Sequence, residues 1–220
     1  MVFGILVIIL IILTVIFLIG GLFYDEINDF IEKKFYQHKV YKSLHYYAEE
    51  NDQLLLNNVI LYLGDDSDKP TVFDHILLAD KYIYLVHDIY AKGALYGNIE
   101  DNSLFLKDYD MKAHKVTNEV IRNLARMRFL EKALDINPNE KLFFSVVVYN
   151  SSLIVPRELK TKTVGNLFLS VDELEKTIKM AEDDQVSNIK HEMTQKVLDM
   201  LLERSDKTKA DLKKKRNKSV

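Results

Sequence analysis

Hydrophobic and polar positions divide the chain into three stretches before any particular residue is considered. Residues 2–23, VFGILVIILIILTVIFLIGGLF, carry no charge. At about 1.5 Å per residue, a helix of that length spans roughly the 30 Å hydrocarbon core of a bilayer. The pattern predicts one N-terminal transmembrane helix over residues 1–24. A cleaved signal peptide fits less well: no basic segment precedes the run, the run outlasts a usual signal-peptide core, and no small-residue cleavage site closes it. Lys33, Lys34, Lys39 and Lys42 follow the run and nothing basic precedes it. Positive charge stays on the cytoplasmic side, so the expectation is a single-pass cell-membrane protein with its N-terminus outside and its domain in the cytoplasm.

Residues 25–48 change to helical spacing, with Ile27, Phe30, Ile31 and Phe35 along one stripe. This predicts a juxtamembrane helix or linker, whose stripe can pack on the folded domain, lie on the bilayer surface or pair with a second copy. From residue 49 to 204 the pattern is that of a folded domain. Residues 54–63, LLLNNVILYL, read as an apolar helix or helix-to-strand segment, closed by the acidic loop GDDSDKP. Residues 71–78 and 82–87 are β-branched and aromatic runs joined by Ala79-Asp80-Lys81, which predicts an antiparallel hairpin. Residues 94–97 and 103–106 are expected to add edges to the same sheet.

Val120, Leu124, Met127, Leu130 and Leu134 lie on one face of a helix predicted over 118–134, which Asn137-Pro138-Asn139 terminates. Residues 142–149, LFFSVVVY, form the continuous apolar run of a strand buried on both faces. Ser170 with Glu173 makes a capping box for a helix over 171–181. A last helix over 188–202 would turn Ile189, Met193, Val197, Met200 and Leu201 inward. The order predicts an α/β domain with one mixed sheet flanked by helices.

Composition narrows the chemistry. A content of 48% hydrophobic and 29% charged residues suits a folded chain. With no cysteine, disulfides, thiolate zinc sites and a cysteine nucleophile are excluded. The net charge of −3 hides an asymmetry. Residues 206–220 hold seven Lys or Arg against two Asp, a net of +5, which leaves −8 for the remainder. Residues 205–220 are therefore expected to be a basic flexible tail. Its densest part, Lys213, Lys214, Lys215 and Arg216, is a candidate contact for phosphate or anionic lipid, although a solvated terminus explains the same charges. No G-x-S-x-G elbow, phosphate-binding loop or dinucleotide fingerprint is present. The aromatics sit in apolar runs rather than among basic residues, so the sequence offers no stacking platform for single strands.

Several local strings, in order, resemble the nuclease-related domain (NERD) family. Val72-Phe73-Asp74-His75-Ile76 stands where the family has E-I-D-H-I. Residues 82–89, YIYLVHDI, stand for its second strand, which ends in E-x-K. Gly93-Ala94-Leu95-Tyr96-Gly97 is similar to its G-x-I-x-G turn, residues 117–122 lie at its helix start, and residues 145–149, SVVVY, are similar to its later strand. The resemblance covers roughly residues 49–200. It implies a restriction-endonuclease-like, PD-(D/E)XK fold.

In that family an Asp and a Glu hold Mg²⁺, a Lys beyond the Glu orients water and steadies charge on phosphate, and a helical Gln completes the site. The resemblance places Asp74 at the aspartate, His87 at the glutamate, Ile89 at the lysine and Arg122 at the glutamine. Ile89 carries no charge, and histidine is a poor Mg²⁺ ligand. The usual mechanism is therefore expected to be lost. Asp74 remains the one metal-ligand candidate, for Mg²⁺ or Mn²⁺ if the chain is active, with His87 as its partner in a rearranged catalytic set. Otherwise Asp74 is a buried carboxylate paired with Arg122. His75 and His87 lie on different strands and read as structural or partly exposed histidines rather than a zinc site.

Asn118, Arg122 and Arg126 recur every fourth residue; Arg122 and Arg126 can meet phosphates or form a solvated helix face. Three readings follow. The first is a membrane-anchored, catalytically inactive family member that binds DNA, RNA or an unidentified protein and needs no cofactor. The second is a divergent metal-dependent nuclease. The third is a membrane-surface scaffold that meets only anionic lipid or protein.

Overall fold

The computed structural model of the chain describes residues 14, 21, 24–62, 70–137, 141–160, 162–163, 165–183, 187–189 and 191–218. The uncharged run at 2–23 lies outside them apart from Thr14 and Gly21, as do residues 64–69 of the acidic loop and Pro138 and Asn139. Among the described residues no helix is long and apolar enough to cross a membrane.

The chain divides into two compact units, Met1–His38 and Lys39–Val220. Helix α1, Tyr24–Glu50, supplies residues to both. In the first unit Ile27, Phe30, Ile31 and Phe35 are all exposed, so the stripe expected from their spacing is an uncovered helix face. In the second unit Val40, Leu44, Tyr47 and Ala48 of the same helix are buried.

The second unit is built on a mixed sheet of six strands. β1 (Leu54–Leu61), β2 (Thr71–Leu78) and β3 (Ile83–Ile89) pair antiparallel. β3 then pairs parallel with β7 (Phe143–Tyr149), and β7 parallel with β10 (Asn166–Ser170), whose far edge carries the short β9 (Lys162–Thr163). Every residue of β7 is buried, as its unbroken apolar run requires. Residues 54–61 are thus a strand and not a helix. Their ladder with β2, interrupted at Asn58, which has φ of +52°, outweighs the helix-compatible leucines.

One face of this sheet packs on α2 (Glu119–Ala133) and α4 (His191–Lys218). Ile76, Ile83, Leu85 and Phe143 meet Met127, Leu130, Val197 and Leu201 there in one core. Burying a side chain such as Leu85 or Leu130 contributes about 2 kcal/mol. Asn123 fixes α2 to the sheet by donating to the Leu85 carbonyl and to Ser145 Oγ, both at 3.0 Å. The opposite face carries His75 and Tyr84. Tyr41 of α1 lies beside His75, with ring centroids 6.5 Å apart. The Tyr84 hydroxyl donates to Glu182 Oε1 at 2.6 Å, at the end of α3 (Leu174–Glu182). The expected capping box is present: Glu173 accepts from the Ser170 amide at 3.3 Å, ahead of α3.

Two expectations need correction. The strands after β3 do not extend its sheet. β4 (Gly93–Tyr96), β5 (Ser103–Lys107), β6 (Ala113–Thr117) and β8 (Leu153–Ile154) form a separate four-stranded sheet in the order β6-β5-β4-β8. The reason is that both edges of β3 are already taken, by β2 and β7. Gly93 makes the turn possible. Its φ of +118° lies in a region that favours glycine, and a Cβ there would collide with the Lys107 carbonyl oxygen.

The basic segment from residue 205 is not a separate flexible tail but continues α4 to Lys218. Ser205 and Thr208 are buried, and Thr208 Oγ1 accepts from the Tyr62 amide at 3.3 Å, so packing carries the helix past the expected end at 202.

Candidate functional site

The hairpin of β2 and β3 brings the first two site residues together. His75 pairs with Val86, so one step further along the register Asp74 faces His87. His87 Nδ1 donates to Asp74 Oδ2 at 2.5 Å, and the Asp88 amide donates to the same oxygen at 3.3 Å. On its other side His87 Nε2 lies 3.3 Å from Glu119 Oε2, an ion-pair contact. Glu119 opens α2. Its position is set by the N-cap Asn118, which accepts from the Val120 amide at 3.1 Å and donates to the Ile99 and Asp101 carbonyls at 2.8 Å each. One turn along α2, Arg122 Nη1 donates to Glu119 Oε1 at 3.1 Å.

The result is a continuous chain of charge, Asp74–His87–Glu119–Arg122. Burial alone would pull the His87 pKa down, but its hydrogen bond to Asp74 and its contact with Glu119 outweigh burial and raise it from 6.5 to about 9. For Asp74 and Glu119 burial acts to raise the pKa, and the His87 imidazolium prevails and holds both below their ordinary values. The Arg126 guanidinium is lowered by burial and by the neighbouring Arg122 charge. At neutral pH these contacts favour the protonated, imidazolium form of His87.

Beside this chain lies a cleft of about 520 Å³ whose lining includes Asp74, His87, Arg122, Arg126 and Phe129. Helix α2 thus brings both arginines to the cleft. The carboxylate of Asp74 is bound to His87 and to the Asp88 amide, whereas Arg122 is bound to Glu119, so the expected pairing of Asp74 with Arg122 is replaced by a longer relay. His75 points to the other face of the sheet, where it is buried and its Nδ1 lies 2.6 Å from Asn57 Oδ1, a structural histidine as expected. Ile89 shares the His87 face two residues on, but joins the small apolar core around Leu95, Leu104 and Phe168. Positions 213–216 lie on α4.

Glu119 escaped the sequence reading. Its signal was an acidic residue directly after an Asn that can cap a helix, three residues before Arg122. That pattern is common at helix starts, and only the tertiary fold gives it a partner.

The residues present do not fit a divalent cation in the way the family resemblance implies. The imidazolium occupies the gap between the two carboxylates, and each of its ring nitrogens faces one of them. Among the described residues no group of three or more histidines and carboxylates is disposed to hold a metal ion. Taken together, fold and site define a mixed α/β domain with a carboxylate–imidazolium–carboxylate cluster beside an arginine-lined cleft. The chain belongs to the nuclease-related domain (NERD) family, whose model matches residues 32–150. The match runs from within α1 to just past β7, and so contains Asp74, His87, Glu119, Arg122 and Arg126. No curated protein and no solved structure matches the chain.

Proposed function

We propose that this NERD-family protein is a catalytically inactive relative of nucleases, anchored by residues 2–23 with its domain in the cytoplasm, that binds nucleic acid rather than cutting it. The observation that carries this reading is His87 held between Asp74 and Glu119. A divalent cation neutralises a carboxylate pair and activates a bound water, whereas the singly charged imidazolium offsets only one of the two carboxylates and presents no metal-bound water to a phosphate. Ile89 supplies no cation for a reacting phosphate. Arg122 and Arg126 still line the cleft, and guanidinium groups suit the forked geometry of phosphate oxygens.

Full-length protein extracted in detergent and incubated with labelled single- and double-stranded DNA and RNA in Mg²⁺ or Mn²⁺ should leave the strands intact. The same preparation should bind duplex, with affinity falling as salt rises. Arg122→Ala with Arg126→Ala should lower that affinity roughly ten-fold and flatten the salt dependence. Metal-dependent cleavage that disappears in Asp74→Ala would sink the inactive reading. The anchor has its own check: the chain should leave membranes with detergent and resist extraction by alkaline carbonate. Release by carbonate alone would remove the anchor from the proposal.

A further inference from the structure

The four-stranded sheet turns Leu95, Leu104 and Val116 toward an apolar core and its other face toward solvent. On that outer face Tyr96 and Phe105 stand directly opposite one another in register. They are 37% and 44% exposed, with ring centroids 6.1 Å apart and planes inclined by only 15°. Lys115 lies across from Phe105 on the next strand. Lys107, two residues beyond Phe105, shares the face because side chains alternate along a strand. The same alternation places Ala94, Ser103, Ala113 and Thr117 around the ring pair. Ile154 of β8, opposite Ala94 and itself exposed, completes this face, and the two charged residues it carries on β4, β5 and β6 are both lysines.

The ring pair offers a flat apolar surface on which another π-face can stack, and the flanking lysines favour negative charge close by. Unpaired nucleotides answer both demands, since each has a π-face for stacking and a phosphate beside it. In a duplex the base faces are already stacked on one another and cannot reach the rings. We propose that the outer face of the second sheet binds single-stranded nucleic acid, with unpaired bases on Tyr96 and Phe105 and phosphates at Lys107 and Lys115. The proposal rests on the nucleic-acid reading above for its ligand class, but uses none of the residues of the cleft, so either can fail alone.

The test is fluorescence anisotropy on full-length protein in detergent, with labelled oligothymidine and a duplex of equal length. Tyr96→Ala and Phe105→Ala should each weaken oligothymidine binding roughly ten-fold, Phe105→Tyr should retain it, and duplex binding should stay unchanged. Both positions are exposed, and unaltered circular dichroism would show that the variants fold. Oligothymidine binding that survives the double substitution Tyr96→Ala, Phe105→Ala overturns the proposal. So does a wild-type protein that binds duplex but ignores oligothymidine. Loss of duplex binding in the Arg122, Arg126 variant, with oligothymidine binding intact, would leave each ligand on its own surface. The reverse pattern, an aromatic effect with no arginine effect, would retain this site and remove the cleft from the nucleic-acid reading.

Discussion

His87→Ala is expected to destabilise the folded domain by about 3 kcal/mol near neutral pH, the scale of removing one partner from a buried charge cluster. The size follows from a side chain only 19% exposed whose pKa is raised from 6.5 to about 9. Its sign sets the pH dependence. The folded pKa lies above the unfolded one, so the His87 contribution is fully present below 6.5 and fades as pH rises through about 9. Asp74 and Glu119 behave oppositely. Their folded pKa values are depressed, so their contribution is present above the unfolded values of 3.8 and 4.5 and disappears as pH falls below them.

The stability difference between wild type and His87→Ala should therefore peak at about pH 5 to 6 and shrink on both sides. Burial lowers the His75 pKa, with a smaller contribution in the same direction from the His87 charge, so its titration cancels only in part between the two proteins. Urea denaturation across that pH range provides the measurement. A difference that stayed flat from acid to alkali would mean that His87 acts by packing and not by charge.

The second large effect comes from reversing the charge at the same position. His87→Glu replaces the cation between Asp74 and Glu119 with a third carboxylate and should cost more than the alanine substitution in metal-free buffer, about 4 kcal/mol. Millimolar Mn²⁺ or Mg²⁺ should then restore much of the loss, because three convergent carboxylates suit a hard cation and binding to the folded state alone stabilises it. Wild-type protein should show the same melting temperature in Mn²⁺ as in a chelator. Thermal melts of both proteins under both conditions separate the possibilities. A wild-type melt that rises with Mn²⁺ would contradict the imidazolium as a stand-in for the metal, and an uncorrected His87→Glu variant would show that the carboxylates do not converge.

Much of the fold was legible because local pattern and tertiary demand agree. The hairpin of β2 and β3, the helix from Glu119 and the fully buried β7 each follow from a period or an unbroken apolar run that admits few alternatives. The family resemblance likewise rested on strings of neighbouring residues. Sheet membership was not legible. Nothing in the strings of residues 94–97 and 103–106 says that both edges of β3 are occupied, since one occupant, β7, arrives more than fifty residues after β3 ends. The length of α4 was hidden for a related reason: past residue 202 its polar sequence is packed through Ser205 and Thr208, and Thr208 meets the Tyr62 amide across the fold.

At the site, the order of residues sets only which chemical groups are on hand: a carboxylate at Asp74, an imidazole at His87, an aliphatic side chain at Ile89 and two arginines one turn apart. Tertiary structure decided what they become. It set Glu119, a residue with an ordinary place at a helix start, against the far nitrogen of His87, and it drew Arg122 to Glu119 instead of to Asp74. The same folding step placed Tyr96 and Phe105, nine residues apart across a turn, side by side on an open face. Residue identity fixes charge and hydrogen-bonding capacity locally. Partnership and pKa depend on distance and burial, which exist only once strands and helices remote in sequence have packed together.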